Sequence, residues 1–486
     1  MSVSDRPGCC RRRSGRRSGR LRLVHAAAPP GLLPALVDAL GDAARVSAGD
    51  SERDLHAADL TFHRPHRPDV VVYPLTTAEV ADVLTVADEL RVPVTPFGAG
   101  SSLEGHVIPV AGGISLDLTR MDRILSIDPG DLTATVQPGT TRSALERAAG
   151  AHGLFFPVDP GADATLGGMA ATNAAGTTTP RYGKMRPNVL ALEAVLPGGR
   201  VVRTGSRALK TSAGYDLTGL LVGSEGTLGV ITELTLRLHG IPEHAVALRI
   251  AFPSIEAASR AAVGAVAAGV GVTRLELLDA TNVAAVNAWA GTAYPEAPCL
   301  FVEAAGTAAS VEGDLELVVA LAGDEQAVEI VHERDPAARA RLWSARHGAA
   351  YGWGRLWPGR RHCSTDVAVP LSELPAAIEV ARTTVERLGL RAGIVGHVGD
   401  GNFHVGAMVD PGDAAEAAAF EELSRVLVED ALARGGTCTG EHGVGVGKRR
   451  ALALEHPDLL PLLRGVKAVF DPHGIMNPGK VLPDEP

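Results

Sequence analysis

The sequence lacks a hydrophobic run long enough to cross a membrane. A spanning helix needs about 20 consecutive apolar residues, whereas the longest candidate, residues 261–272, is shorter and rich in alanine and glycine. We interpret this run as a packed helix. The chain is therefore expected in the cytoplasm, with at most a peripheral association at the inner face of a membrane.

Cysteine is also scarce. The five cysteines, Cys9, Cys10, Cys299, Cys363 and Cys438, are scattered, odd in number and without metal-ligand spacing among them. A disulfide framework or a cysteine-based zinc site would need paired, regular spacings. This pattern favours a reducing, cytosolic compartment.

Charge is limited and unevenly distributed. Charged residues make up 21% of the 486 residues and hydrophobic residues 45%, which is enough for two or three domains with apolar cores. The net charge is −10 although residues 1–22 hold eight arginines and one aspartate, so the rest of the chain carries −17. This acidic body argues against nucleic acid as a partner. We expect the basic residues 1–28 to form a disordered tail or to follow a misplaced start codon, in preference to a targeting signal.

Two familiar nucleotide-binding motifs are absent. The loop at residues 96–105 has Gly98 and Gly100, but Leu103 stands at the third glycine position of the Rossmann fingerprint. A run ending in Lys448 lacks the upstream glycine of a P-loop and has Arg449 where serine or threonine is needed. These departures disfavour an NAD-binding Rossmann unit and a nucleoside-triphosphate site.

The hydrophobic pattern predicts that the two halves of the chain differ in secondary structure. Helical spacing covers residues 30–60, a strand–helix–strand unit covers residues 70–74, 77–90 and 92–96, and short strands follow to about residue 240. After the turn at residues 240–243 the pattern becomes richer in alanine and helical spacing. This alternation of helices with antiparallel strands predicts an α+β fold. The predicted helices there are residues 255–268, 310–322, 336–351, 371–388 and 414–434, and the predicted strands are residues 273–278, 299–303 and 364–369.

Three tracts of small residues lie in the first half, at residues 96–105, 157–176 and 223–232. Each could be an ordinary turn, because glycine is common in β-rich domains. Together, within about 180 residues, their exposed backbone amides favour an extended, dinucleotide-like ligand.

The second half contains a candidate metal site. Asp400-Gly401 is a strong signal for a two-residue hairpin turn, which would place His397 directly opposite His404 with Cβ atoms about 4.5–5.5 Å apart. A third ligand from Glu441 would give two histidines and one glutamate, a set typical of catalytic ions with open positions. His442 would remain free for proton transfer. The alternative is that these histidines only cap turns in glycine-rich loops.

With these motifs in place, the chain resembles the FAD-linked oxidase superfamily with the vanillyl-alcohol-oxidase fold. The resemblance covers about residues 60–483, and the C-terminal half is most similar to the cytochrome-type D-lactate dehydrogenases. It implies a two-subdomain FAD-binding domain of the PCMH type at residues 29–243. A substrate and metal cap domain with an antiparallel sheet would follow at residues 244–455, and a C-terminal helix and tail at residues 456–486 would return to the FAD domain. The stretches that carry the closer likeness are residues 342–347, 364–367, 396–404, 436–443 and 476–480.

The resemblance implies a set of cofactor residues. The loop at residues 96–102 would cradle the FAD pyrophosphate, the second tract would line the flavin, and Val230 and Ile231 would flank the adenine. Ser101 stands where some relatives have a histidine bonded to the flavin, so non-covalent FAD is expected, and His106 is expected to be a surface-loop histidine. The implied cofactor residues are Pro96, Gly98, Ala99, Gly100, Ser101, Ser102, Pro160, Gly161, Thr165, Gly168, Thr172, Asn173, Gly176, Glu225, Gly229, Val230, Ile231 and Asn477.

The resemblance also implies a mechanism. His397, His404 and Glu441 would hold a divalent ion, zinc or manganese, Arg346 would bind the substrate carboxylate, and His442 would be the base while hydride passes to flavin N5. Arg346 could otherwise form a helix-surface ion pair. Ser364 stands near a lysine of relatives that act on 2-hydroxyglutarate, which favours a monocarboxylate substrate.

The implied function is oxidation of a D-2-hydroxy acid, D-lactate to pyruvate, with electrons passed to a cytochrome, a quinone or an electron-transfer flavoprotein. Glycolate and D-2-hydroxyglutarate dehydrogenases are alternatives, as is a non-redox transferase of the ether-lipid type on the same fold. A metal-dependent hydrolase or binding module without flavin would also fit the histidine cluster alone. A homodimer is left open.

Overall fold

A computed structural model describes residues 28–484. The predicted basic tail at residues 1–28, apart from its last residue, lies outside the described residues, and so do Cys9 and Cys10. The secondary structure is mixed, with one largely parallel sheet, two larger antiparallel sheets and interspersed helices, in agreement with the α+β expectation. Among residues 28–484, no helix is both long and apolar enough to cross a bilayer.

The first sheet has four strands in the order β1-β2-β4-β3, and β2, β4 and β3 are parallel. Every residue of β2 is fully buried, which explains why this strand is a continuous run of valine. Helix α3 begins where the Thr76 side chain accepts a hydrogen bond from the Glu79 amide, and it has the predicted bounds. The elements are α1 Leu32–Leu40, β1 Val46–Ser47, α2 Asp50–Leu55, β2 Val70–Val72, α3 Thr77–Leu90, β3 Val94–Phe97 and β4 Ile114–Asp117.

The second sheet has five antiparallel strands in the order β5-β6-β10-β8-β9, and two further strands, β7 and β11, form a separate pair. The strands are β5 Ile124–Asp128, β6 Thr133–Val136, β7 Leu154–Phe155, β8 Val189–Leu196, β9 Arg200–Gly205, β10 Val230–Arg237 and β11 His239–Gly240. The helices of this part are α4 Arg142–Gly150, α5 Leu166–Thr172, α6 Thr179–Tyr182, α7 Met185–Asn188 and α8 Leu217–Leu221.

The third sheet has eight strands and takes up most of the second half. Its order is β15-β12-β14-β13-β18-β19-β16, with β17 also paired to β19. The strands are β12 His244–Ala251, β13 Val272–Leu278, β14 Cys299–Gly306, β15 Glu329–Glu333, β16 Arg361–Ser364, β17 Val367–Ala368, β18 Ala392–His397 and β19 Asn402–Val409. The helices are α9 Ile255–Ala267, α10 Ala280–Ala290, α11 Ala308–Asp324, α12 Pro336–His347, α13 Ala349–Leu356, α14 Leu374–Leu388 and α15 Ala414–Ala433.

The chain ends by returning to the first half, as the resemblance implied. After α16 Arg449–Glu455 and α17 Leu460–Phe470, the tail adds Met476 beside Val94 of β3, and the Asn477 amide donates to the Val94 carbonyl at 2.7 Å. Ile475 and Met476 are buried in the core of the first sheet. This return brings the tail motif at residues 476–480 to the loops that follow β3.

Several expected elements differ in extent. The helix expected over residues 30–60 ends at Gly41, which takes a left-handed conformation, and the helix expected over residues 336–351 is divided at Gly348. The strand expected over residues 364–369 is interrupted at Thr365 and Asp366, which separate β16 from β17. Strands β12 and β15 and helix α10 were not predicted.

Candidate active site

An open cleft is lined by the loop after β3, by α5 and the segment before it, by the start of β10 and by the C-terminal tail. Its empty volume is about 1300 Å³ with open solvent included. Fifteen of the predicted cofactor residues lie on its wall. They are Pro96, Gly98, Ala99, Gly100, Ser101, Ser102, Pro160, Thr165, Gly168, Thr172, Glu225, Gly229, Val230, Ile231 and Asn477.

Glycine is needed at position 98 because the first two tracts pack closely. A Cβ at Gly98 would lie 2.4 Å from Thr165 Oγ1, the residue that precedes α5. The two tracts therefore meet backbone to side chain and leave a shallow cradle between them. Such a cradle lets backbone amides approach an anionic ligand.

Three predicted cofactor residues do not line the cleft. Gly161 is exposed in the turn before α5, and the side chain of Asn173 accepts a hydrogen bond from the Arg186 amide at 3.0 Å. At Gly176 a Cβ would lie 1.8 Å from the Asp159 carbonyl, so this glycine serves close packing of two chain segments. The structure thus gives Asn173 and Gly176 structural contacts.

His106 is buried, so the expectation of a surface-loop histidine is wrong. It is 4% exposed, lines the cleft, and has Nε2 3.3 Å from Glu225 Oε2. Burial alone would lower the pKa of His106, but the Glu225 carboxylate outweighs burial and raises it. No motif in the sequence marks this histidine. The other wall residues, which were not named individually among the implied cofactor residues, are Phe97, Leu103, Val107, Leu118, Pro138, Ala162, Ala164, Gly167, Met169, Ala171, Ala174, Ala175, Ser224 and Gly226.

The β18–β19 hairpin has a different register from the predicted one. His397 pairs with Asn402, and Val395 is opposite His404, so the loop has four residues and not two. The Asp400 amide donates to the His397 carbonyl at 3.2 Å, and Gly401 takes φ +78°. The predicted direct pairing of His397 with His404 is therefore wrong. Because the register differs by two residues, the histidines still lie on one face of the sheet as diagonal neighbours.

His397, His404 and Glu441 form a compact cluster. Their potential ligand atoms all lie within 4.8 Å of one another. Both Nε2 atoms are 3.1 Å from the same oxygen, Glu441 Oε1, and His404 Nε2 has no hydrogen-bond partner among the described residues. The predicted ligand set is thus brought together by the hairpin and the loop before α16.

The other ring nitrogen of each histidine, Nδ1, contacts a group outside the cluster. His404 Nδ1 is 3.1 Å from the Thr365 carbonyl, which can only accept, so Nδ1 carries a proton, and Nε2 is the nitrogen near Glu441. His397 Nδ1 is 2.7 Å from Glu276 Oε1. Outer partners of this kind orient histidines that bind metal ions.

Electrostatics within the cluster are strong. Burial would lower the pKa of His397, but the carboxylates of Glu276 and Glu441 outweigh it and raise that pKa well above its ordinary value. Burial would likewise raise the pKa of Glu441, but His397 and His404 hold it well below the usual range. The cluster thus contains a firmly ionised carboxylate that faces two imidazoles.

His442 lies between the cluster and the cleft. Its ring stacks on that of His404, with centroids 4.8 Å apart and planes 9° apart, and it lines the cleft together with Glu441. Burial lowers the pKa of His442 to about 4, and the nearby Asp366 only partly offsets this effect. The ring is therefore neutral near pH 7, and its Nδ1 has no hydrogen-bond partner among the described residues.

Arg346 and Ser364 lie near the cluster but do not line the cleft. Arg346 Nη2 donates to Glu276 Oε2 at 2.6 Å, and Glu276 is the fully buried partner of His397. Arg346 is thus in an ion pair, but with a buried carboxylate beside the cluster and not on a helix surface. Ser364 lies at the end of β16, where its hydroxyl donates to the Thr365 carbonyl at 3.1 Å.

Comparison with known families matches both halves of the chain. The model described as FAD binding domain matches residues 68–205, and the model described as FAD linked oxidases, C-terminal domain, matches residues 241–481. The cleft residues from the first two tracts fall in the first match. The His397–His404–Glu441 cluster falls in the second.

Full-length relatives and a solved structure agree with these matches. The chain is 43% identical over 441 residues to a probable mitochondrial D-lactate dehydrogenase of Danio rerio, covering 90% of this chain and 89% of that protein. It is 35% identical over 434 residues to the glycolate oxidase subunit GlcD of Bacillus subtilis, covering 88% and 92%. The structure of p-cresol methylhydroxylase with substrate bound superposes with a TM-score of 0.76 at 18% identity, covering 93% of this chain and 96% of that one. This last likeness concerns the fold.

Proposed function

Because the chain belongs to the family of FAD-linked oxidases, we propose that it oxidises a D-2-hydroxy acid, with D-lactate converted to pyruvate. The observation that carries this proposal is the continuity of the cofactor cleft with the histidine–glutamate cluster. Glu441 belongs to both, and His442, which also lines the cleft, stacks on His404 of the cluster. A neutral base and a candidate ion site thus face the space that a planar cofactor would occupy.

We propose that the cleft holds FAD without a covalent bond. The small residues of the 96–102 loop suit the pyrophosphate, those of the second tract suit the flavin, and Val230 and Ile231 would flank the adenine. Ser101, at the aligned position of the covalent histidine in some relatives, cannot form that bond. Bound FAD would supply the two-electron acceptor for the hydride that leaves C2 of the substrate.

We propose that His397, His404 and Glu441 hold a divalent ion, zinc or manganese. The donor set fits, because two imidazole nitrogens and one carboxylate oxygen converge, and the Nδ1 atom of each histidine is already occupied by another group. His404 Nε2, which has no hydrogen-bond partner among the described residues, lies 3.1 Å from the same Glu441 oxygen as His397 Nε2. A bound ion would supply positive charge beside the substrate hydroxyl and so make it more acidic.

His442 would take the hydroxyl proton. A general base must be unprotonated at the working pH, and burial keeps this imidazole neutral. Stacking against His404 keeps the ring beside the ligand set, and its position on the cleft wall places it next to the cofactor. The chain therefore presents an acceptor for the proton at the wall of the cleft.

Arg346 would bind the substrate carboxylate. The pair with Glu276 uses only some of the hydrogen-bond donors of the guanidinium, and its Nε has no acceptor among the described residues. A planar guanidinium can contact a carboxylate through two parallel hydrogen bonds. Glu276 would then orient both Arg346 and His397.

The choice of substrate rests on two observations. The relative from Danio rerio is named for D-lactate, and Ser364 provides no cation for a second carboxylate. Glycolate is the second candidate, because the relative from Bacillus subtilis is named a glycolate oxidase subunit. The electron acceptor, a cytochrome, quinone or electron-transfer flavoprotein, and a cytoplasmic or membrane-peripheral location stay predictions.

Anaerobic titration of the holoprotein tests this proposal. D-lactate, L-lactate, glycolate and D-2-hydroxyglutarate are added separately while the flavin absorbance is followed. We expect complete bleaching with D-lactate at the lowest concentration and little with L-lactate. Bleaching by glycolate alone would favour the second candidate. No bleaching by any hydroxy acid would favour a non-redox transferase and contradict the proposal.

A further inference from the structure

The segment that carries Glu441 and His442 is irregular, and two buried carboxylates accept hydrogen bonds from its backbone. In this 441–445 segment, Asp366 Oδ2 accepts from the amides of Glu441 at 3.2 Å and His442 at 3.0 Å. Glu225 accepts from the amides of Val444 at 2.7 Å and Gly445 at 2.8 Å. The amide of Gly443, between them, has no such acceptor among the described residues.

Asp366 approaches the segment from the third sheet. It lies between β16 and β17, is 1% exposed, and accepts from Asn402 Nδ2 at 2.8 Å and Thr439 Oγ1 at 2.6 Å. Lys448 Nζ lies 3.1 Å from the same carboxylate and compensates its charge. Asp366 thus connects β19, which carries His404, to the backbone of the third ligand and the base.

Glu225 approaches the same segment from the first half of the chain. It is 5% exposed, lines the cofactor cleft, and uses a different oxygen for each amide. A Cβ at position 443 would lie 2.7 Å from Glu225 Oε1, and Gly443 has φ +81°. Glycine at this position therefore allows the carboxylate to reach the backbone.

We infer that Asp366 and Glu225 are positioning residues that hold the 441–445 segment from the two halves of the molecule. Asp366 fixes the ion ligand and the base, and Glu225 fixes the same segment to the cofactor cleft. The inference rests on the proposed function for its catalytic meaning. Its structural part does not, because a buried carboxylate that accepts two amides leaves them unsatisfied when it is removed.

Hydrogen exchange resolved to single amides tests the inference in Asp366→Asn and Glu225→Gln. In Glu225→Gln one of the two accepting oxygens becomes an NH2 group, and in Asp366→Asn the oxygen that both amides share loses its negative charge, which weakens its charge-assisted hydrogen bonds. We expect exchange to rise about tenfold at Glu441 and His442 in the first variant, and at Val444 and Gly445 in the second.

Asp471→Asn is the matched control. Asp471 is also buried, accepts from the Ile475 and Met476 amides at 3.0 and 2.8 Å, and pairs with a lysine, Lys467. The Asp471→Asn variant should accelerate hydrogen exchange at the Ile475 and Met476 amides and leave exchange in the 441–445 segment unchanged. Equal acceleration of that segment in the control, or no acceleration in either test variant, would overturn the inference.

The wild-type protein provides a measurement that does not depend on a variant folding. The amides of Glu441, His442, Val444 and Gly445 should exchange at least tenfold more slowly than that of Gly443. Equal exchange across all five would overturn the inference, whatever the variants do.

The affinity of the site for a metal ion tests whether the two carboxylates position the ion ligand Glu441. Competition with a chelator should show about tenfold weaker zinc binding in Asp366→Asn, with FAD retained, and unchanged affinity in Asp471→Asn. Faster exchange with unchanged affinity and unchanged flavin reduction would contradict a positioning role. If the wild-type flavin is not reduced by any hydroxy acid, the proposed function fails while the exchange result still decides the structural part.

Discussion

Glu441 and His442 are neighbours in the chain, but their surroundings move their protonation in different ways. Two histidines hold the pKa of Glu441 well below its usual range, whereas burial lowers the pKa of His442 to about 4. Near pH 7, Glu441 is therefore ionised and His442 is a neutral base. This division between adjacent side chains is what the proposed reaction needs.

His442→Ala should retain FAD and lose most of the flavin reduction by D-lactate. A positioned general base contributes typically 10²–10⁴-fold to a rate, so we expect a loss of about 1000-fold in the reduction rate measured by anaerobic rapid mixing. His456→Ala is the control, because His456 is a surface histidine after α16, away from the cleft wall. Wild-type reduction in the His442 variant would rule out this base.

Arg346→Lys should raise the KM for the hydroxy acid and lower kcat/KM about 10- to 100-fold, because lysine lacks the planar fork that binds a carboxylate through two hydrogen bonds. Steady-state kinetics with an artificial electron acceptor measures this. Arg341→Lys, an exposed position on the same helix α12, serves as control. An unchanged KM would assign Arg346 to the ion pair with Glu276 alone.

The role of a residue was predictable where the residue stands in a recognisable motif. It was not predictable where the role depends on how the folded chain packs. His397, His404 and Glu441 stand in glycine-rich motifs, and the structure brings them together. His106 has no motif, and only the fold reveals that it faces Glu225 inside the cleft. The resemblance implied that Gly176 lines the flavin, and its packing against the Asp159 carbonyl could not be predicted from the sequence.

At the scale of elements, the β18–β19 hairpin shows that the position of a turn can be predicted correctly even when the pairing of its strands is not. The residues of the turn were identified correctly, but the loop has four residues, because Asp400 bonds back to His397 and the ladder closes at Asn402. A two-residue error in register preserves the face of every side chain. The site prediction therefore survived an incorrect pairing.

Gly401→Ala should destabilise the hairpin. Position 401 has φ +78°, and a Cβ would lie 2.1 Å from the Val369 carbonyl. The left-handed conformation costs about 1–2 kcal/mol for a residue with a Cβ, and the clash adds about 1–3 kcal/mol. We expect the free energy of unfolding to fall by about 3 kcal/mol in denaturant titration.

Gly435→Ala separates the two causes. Gly435 has φ +79° with nothing within 4 Å of an added Cβ, so this variant should lose only about 1 kcal/mol. Equal losses in the two variants would show that contact with Val369 contributes nothing.

Regular elements with a clear period were predictable, and irregular or fully buried ones were not. Helix α3 has its predicted bounds because Thr76 caps it and its apolar positions have helical spacing. Strand β12 was missed because its buried residues form a short apolar run after a turn, and such runs do not separate strand from helix. Asp366 interrupts a predicted strand because its carboxylate is used by the 441–445 segment.

At the scale of the molecule, the C-terminal tail links the cofactor cleft to the rest of the fold. Asn477 Nδ2 donates to the carbonyls of His106 at 3.1 Å and Glu225 at 2.7 Å, and Lys480 Nζ donates to the Ile108 carbonyl at 2.6 Å. The resemblance implied the return of this tail. The particular loops that it joins could not be read from the sequence, because they are distant in the chain.

Asn477→Ala should weaken FAD binding, because the two loops that it joins both line the cleft. We expect the dissociation constant for FAD, measured by fluorescence titration of the apoprotein, to rise about tenfold, the effect of about 1.4 kcal/mol. Asn287→Ala is the control. Asn287 also donates to a backbone carbonyl, that of Tyr294 at 2.9 Å, but lies in α10 of the third-sheet region. Equal weakening in both variants would contradict a local role for the tail.

The central claim is that an ion held by His397, His404 and Glu441 works beside the flavin on a hydroxy acid. The most direct measurement is anaerobic flavin absorbance with D-lactate in protein treated with a chelator and then reloaded with zinc or manganese. We predict that the ion-depleted protein keeps its FAD, reduces it at least 100-fold more slowly, and recovers on reloading. Full-rate reduction in the ion-depleted protein, or no reduction of the reloaded protein, would contradict the claim.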